Sequence, residues 1–123
     1  IIHHLIPKTQ LVGLIQNAIA SLVPLQGCPV LETSSPNKFF ESLAAGVPVI
    51  QNTNGWMKDF LEEHKVGFTL GPDNPKALAD LLVRIADDIE ISPGIKTRAR
   101  KIAAREFDKD ILAEKMITKI AEI

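Results

Sequence analysis

Apolar positions along the chain switch repeatedly between short strand-like runs and helical stripes. Residues 1–6 are apolar apart from His3 and His4 and read as a strand running into a loop. In 7–17 the stripe changes: Leu11, Leu14, Ile15 and Ala18 fall at i, i+3, i+4, i+7, one face of a helix that Gly13 weakens slightly. Residues 18–23 form a short apolar run closed by Pro24 and predict a buried strand. Gly, Pro, Ser and Thr then mark 25–35 as a loop. A loop of that length at the carboxyl end of a strand is where α/β sheets bind ligands.

The rest of the chain is organised around 34–50. Ser35 is a candidate N-cap with Pro36 at the first helical position, where a missing N–H costs nothing. Phe40, Leu43, Ala44 and Val47 make one apolar face. Gly46 stands where a helix ends in the left-handed conformation. Val47, Val49 and Ile50 follow as a short strand that Pro48 confines to an edge or a strand end. A polar turn at 51–55 leads to a helix over 56–64, with Trp56, Phe60 and Leu61 inward. Residues 66–70 read as a strand, and Gly71-Pro72-Asp73-Asn74-Pro75 is a breaker.

Three helices complete the pattern. Asn74 caps the first, with Leu78, Leu81, Leu82 and Ile85 as its stripe. Ser92-Pro93 opens the second, carrying Ile95, Ala99, Ile102 and Ala103. Asp108 opens the third, with Ala113, Ile117 and Ile120 on one face. The alternation predicts an α/β fold: a Rossmann-like parallel sheet of four readable strands with helices on both faces, ending in helices.

Composition narrows the function classes. The 123 residues suffice for a single domain, 1–123, with its own core. A net charge of −1 gives no global attraction to nucleic acid or an anionic membrane. Arg98, Arg100, Lys101 and Arg105 cluster locally, but no aromatics interleave, so a solvated face is expected and no nucleic acid partner. The single cysteine, Cys28, excludes an internal disulfide framework and has no activating neighbour. No apolar run reaches the ~20 residues of a transmembrane helix. Beginning at Ile1 in strand-like sequence, the chain reads as part of a longer protein. Adjacent residues on a strand point to opposite faces, so His3 and His4 make a poor ligand pair. Metal-ligand spacings, phosphate-loop glycines and a nucleophile elbow are absent from the sequence.

One local rule is broken. With Ser35 as cap, Lys38 falls at the third helical position, where a capping box takes Glu or Gln. A cation there opposes the helix dipole by roughly 0.3–1 kcal/mol. The conflict vanishes if an anion sits at that end, met by exposed N–H groups and the ammonium together. Glu41, one turn on, can accept from hydroxyls, so the pattern suits a phosphorylated sugar or a nucleotide. The simpler reading makes Lys38 and Glu41 an i, i+3 surface pair.

Glu41-Ser42-Leu43-Ala44-Ala45-Gly46-Val47-Pro48-Val49-Ile50, preceded by Pro36-Asn37-Lys38-Phe39-Phe40, resembles the donor-binding segment of the retaining GT-B glycosyltransferases with the glutamate–seven residues–glutamate motif. It is most similar to the bacterial subgroup that builds O-antigen and capsule sugars. The first half of the motif departs: eight positions before Glu41 stands Thr33, and the nearest carboxylate is Glu32. The resemblance implies the carboxyl-terminal, nucleotide-sugar-binding domain of a two-domain enzyme. It would carry out retaining transfer from a nucleotide-diphosphate sugar, UDP-linked in the first instance, to a glycan or lipid-linked acceptor in cell-surface polysaccharide synthesis. It implies pyrophosphate binding at Asn37, Lys38 and Phe39, ribose binding by Glu41, and sugar contact by Glu32 or Thr33. It also implies no cofactor and no metal, a cytoplasmic location or one peripheral to the inner membrane, and an acceptor site on a missing amino-terminal domain. No catalytic residue is assigned in this stretch, and these residues alone are expected to be inactive. The competing readings are a non-catalytic α/β regulatory or interaction module and a sugar-nucleotide epimerase of the same architecture.

Overall fold

A computed structural model of the protein describes residues 1–88 and 91–123. Three strands, β1 (Ser21–Val23), β2 (Val49–Gln51) and β3 (Gly67–Thr69), form a parallel sheet in the order β1-β2-β3. Around it lie α1 (Lys8–Gln16), α2 (Asn37–Ala45), α3 (Trp56–His64), α4 (Pro75–Asp87), α5 (Ile91–Glu106) and α6 (Lys109–Ala121). A 3-10 helix, Pro29–Thr33, interrupts the loop between β1 and α2.

Alternate strand residues point to opposite faces, and the two faces are covered differently. Val23 and Val49 pack with Phe39 and Leu43 of α2, Met57 and Leu61 of α3, and Ala99, Ile102 and Ala103 of α5. On the other face Ile50 and Phe68 pack with Leu81 and Ile85 of α4. Helices therefore cover both faces, as the alternation predicts, and the fold is Rossmann-like α/β. Phe39 is the centre of the first core. It is fully buried, with Phe40, Trp56 and Phe60 set edge-on at centroid distances of 5.4, 5.1 and 5.8 Å. Such pairs add about 0.5–1.5 kcal/mol each beyond area burial.

The helix ends follow sequence chemistry. Gly46 closes α2 at φ 77°. Its N–H donates to the Leu43 carbonyl at 3.0 Å, and the Val47 N–H to the Ser42 carbonyl at 2.9 Å, the two bonds of a Schellman motif. The Asn74 side chain accepts from the Ala77 N–H at 3.0 Å to open α4. Asp108 accepts from Asp110 and Ile111 N–H groups to open α6. Pro48 sits immediately before β2, where its carbonyl accepts from the Ser21 N–H at 2.8 Å.

Several expectations are corrected. The sheet has three strands among the described residues, not four: Ile1, Ile2 and Leu5 are exposed, and 1–7 pairs with no strand. The stretch 25–35 is not loop throughout, because Pro29–Thr33 winds into the 3-10 helix. Ser35 is not the cap of α2. Pro36 occupies the cap position in extended conformation, ψ 134°, and Lys38 becomes the second helical residue. The buried face of α2 is turned by one residue, to Phe39, Ser42, Leu43 and Ala45, with Ala44 exposed. Ser42 can enter the core because its hydroxyl donates to the Lys38 carbonyl at 2.6 Å and shares a 2.7 Å bond with the Ser21 hydroxyl. Helix α5 starts at Ile91, so Pro93 is its third residue, and the cap expected of the Ser92 side chain lies outside the described residues. The predicted stripe of α6 is exposed rather than packed. Finally, the basic cluster is not simply solvated. Arg98 donates twice to the Lys65 carbonyl, at 3.0 and 2.9 Å, and Arg100 donates to the Ala45 carbonyl at 3.3 Å. Both carbonyls lie at helix carboxyl ends, where cations are favoured.

Candidate functional site

In a parallel sheet the carboxyl ends of the strands face one way, and the loops that leave them are the natural ligand edge. Here that edge carries the 24–36 loop, the start of α2, the 52–55 turn and the 70–74 loop. Helix α2 returns from this edge toward the start of β2, so its amino terminus lies on it.

The first turn of α2 is accessible. Asn37 and Lys38 are exposed, and among the described residues Lys38 pairs with no carboxylate. Their N–H groups have no acceptor among the described residues, whereas the Phe39 N–H donates to the Pro36 carbonyl at 3.0 Å. The Phe39 side chain is buried in the core, so it anchors the helix start while the two residues before it face outward.

Glu41 does not pair with Lys38. Its carboxylate meets the ammonium of Lys8 on α1 at 2.8 Å. The glutamate side chain is 30% exposed and Lys8 77%, so the pair is worth well under 1 kcal/mol. The two residues border a groove of about 190 Å³ between α1 and α2, with Leu11, Val12 and Ile15 along its floor. Sequence reading missed Lys8 because its helix makes contact through a pairing that no short-range pattern encodes.

Glu32 and Thr33 lie exposed on the 3-10 helix. The Thr33 hydroxyl donates to the Val30 carbonyl at 2.8 Å. Among the described residues no interaction brings either one against Glu41, and both occupy the loop that leads into α2.

The polar turn after β2 is densely hydrogen-bonded. Gln51 is buried, and its side-chain amide donates to the Thr53 carbonyl at 2.9 Å and to the Thr69 hydroxyl at 2.6 Å. Its carbonyl oxygen accepts from the N–H and hydroxyl of Thr53 at 2.6 and 2.7 Å. Beside it, on the α4 face, an open cavity of about 530 Å³ is lined by Leu22, Pro24, Ile50, Asn52, Leu70 and Leu78 among others. Among the described residues no group of three His, Cys, Asp or Glu side chains is placed to hold a metal, and no helix is long and apolar enough to cross a membrane.

The family model described as glycosyl transferases group 1 matches residues 3–88, more than half of the chain. The chain belongs to this family. No curated protein and no solved structure matches it. The matched span of this group 1 glycosyltransferase domain contains all three strands, the 24–36 loop, α2 and α4, and thus the whole ligand edge. Glycosyl transfer is the activity the family membership supports.

Proposed function

We propose that this domain binds a nucleotide-diphosphate sugar at the carboxyl edge of its sheet, with the diphosphate at the start of α2. The observation that carries the reading is the pairing of Lys38, an exposed cation, with the N–H groups of Asn37 and Lys38 at the end of a helix that a cation alone would destabilise. Phe39 contributes by fixing this turn in the core. Glu41, one turn further, accepts from the ribose hydroxyls, with Lys8 beside its carboxylate. Glu32 or Thr33 reaches the donor sugar from the loop.

Transfer then breaks the bond between the anomeric carbon and the diphosphate oxygen, which departs with the electron pair. A bond forms from that carbon to the acceptor hydroxyl oxygen, with retention of configuration, and the acceptor's proton is released. The domain's part is to hold and neutralise the leaving diphosphate, an electrostatic role that needs no metal in this scheme. UDP-linked donors are the first choice, and a glycan or lipid-linked acceptor of cell-surface polysaccharide synthesis is the intended recipient.

Binding of UDP and of GDP by calorimetry tests the reading. Lys38→Ala and Glu41→Gln should each weaken the better nucleotide by roughly tenfold, the range of a charge-assisted contact. Unchanged affinity in both variants would remove the diphosphate from this helix.

A further inference from the structure

The 24–36 loop is held by one short segment at three separate points. At its start, the Asn52 side chain accepts from the Leu25 N–H and donates to the Leu25 carbonyl, both at 2.8 Å. In its middle, the backbone of Gly55 lies against Glu32: a Cβ on Gly55 would stand 2.0 Å from the Glu32 carbonyl oxygen. At its end, the indole N–H of Trp56 donates to the Ser34 carbonyl at 2.8 Å. The backbone ladder between β1 and β2 ends at the Val23–Gln51 pair. Asn52 then extends it through a side chain, using both halves of its amide. Gln51 in turn fixes the turn from beneath through Thr53 and Thr69.

We infer that residues 52–56 are a positioning cradle for the donor loop. Asn52, Gly55 and Trp56 set the place of Glu32, Thr33 and the approach to α2 without touching the ligand. This rests on the donor-site reading for its functional consequence, while its structural content stands independently. Only these residue types suit the task. An amide offers one donor and one acceptor side by side at any pH, glycine alone permits the backbone approach, and an indole provides a donor on a ring that also packs against Phe39.

The test uses amide hydrogen exchange and nucleotide titration on the same variants. Asn52→Ala should speed exchange at the hydrogen-bonded amides of the loop, Leu25, Cys28, Leu31 and Ser34, at least tenfold, leave Ile50 and Leu61 protected, and weaken UDP or GDP about five- to tenfold. Trp56→Phe, which keeps an aromatic ring but loses the donor and part of the indole's bulk, should loosen the end of the loop alone, so a folding failure of one variant does not decide the matter. Asn52→Asp provides a chemical signature. Its carboxylate faces the Leu25 carbonyl at neutral pH, but the protonated acid again offers one donor and one acceptor. Loop protection factors in that variant should therefore rise as pH falls through its carboxyl pKa, with no such rise in the native chain. Unchanged exchange at 25–34 in Asn52→Ala and Trp56→Phe would overturn the cradle. Loosening of the loop in a chain that binds neither nucleotide would uphold the cradle and overturn the donor site.

Discussion

Gly46→Ala measures how firmly the end of α2 is specified. Gly46 has φ 77° and ψ 32°, and alanine in that region costs roughly 1–2 kcal/mol. A Cβ would also stand 2.8 Å from Lys96 Cγ, 2.9 Å from Arg100 Nε and 3.1 Å from the Lys96 carbonyl oxygen. The two side chains can move, but the backbone oxygen cannot do so freely. Moving Arg100 breaks its 3.3 Å bond to the Ala45 carbonyl, a further loss of about 1 kcal/mol. Reduced freedom of the unfolded chain returns about 0.4–1 kcal/mol. The net is a destabilisation of about 1–2.5 kcal/mol, or a fall in Tm of roughly 3–15 °C for a domain of this size. Thermal unfolding followed by circular dichroism reads it directly. Gly46→Asn should recover part of the loss, because asparagine tolerates the left-handed region better. Gly46→Ala and Arg100→Ala together should cost less than their sum, since they share one bond. A Tm for Gly46→Ala within about 2 °C of the native value would refute both the strain and the close approach.

Other expectations are narrower. Asn74→Ala removes the α4 cap and should cost about 0.5–2 kcal/mol by urea denaturation, whereas Asn74→Asp should cost much less. Phe39→Ala should cost about 3–5 kcal/mol by the same measurement, because its ring is fully buried among three aromatics. Glu41→Gln should change stability by under about 1 kcal/mol, since its partner Lys8 is exposed, so any larger effect on nucleotide affinity belongs to the ligand. Arg105 donates to Glu106, with nearby positive charges adding to the effect, and holds its carboxyl below the ordinary glutamate range. A depressed carboxyl pKa stabilises the fold at neutral pH, and that contribution fades as pH falls through the folded-state value. NMR titration of Glu106 should show the depression, and Arg105→Ala should return it toward the ordinary range.

The sequence made some features legible and hid others for physical reasons. Local chemistry carried furthest: Gly46, Asn74 and Asp108 end or open helices as their side chains dictate, and α3 spans the predicted residues. The strands beside them were legible in place and order, though shorter than their apolar runs, because pairing rather than hydropathy sets where a strand ends. The face of α2 differs because Ser42 is polar, and its bonds to the Lys38 carbonyl and, at long range, to Ser21 make it a core residue. Segment 1–6 has strand composition without a strand partner. That Lys38 lies in the exposed first turn of α2 was legible, though as the third helical residue rather than the second, which it occupies. The Lys8–Glu41 pair and the Asn52–Leu25 clip were not, because each joins residues more than 25 apart.

The central claim places a nucleotide diphosphate at the start of α2. Its most direct test is chemical-shift mapping of backbone amides during titration with UDP and then GDP. The account predicts the largest, saturable shifts at Asn37, Lys38 and Glu41, with smaller ones at Glu32 and Thr33 as the loop settles on the ligand. Saturation at millimolar nucleotide with no shift between Asn37 and Glu41, or with shifts confined to the cavity around Leu22, Asn52 and Leu78, would contradict it.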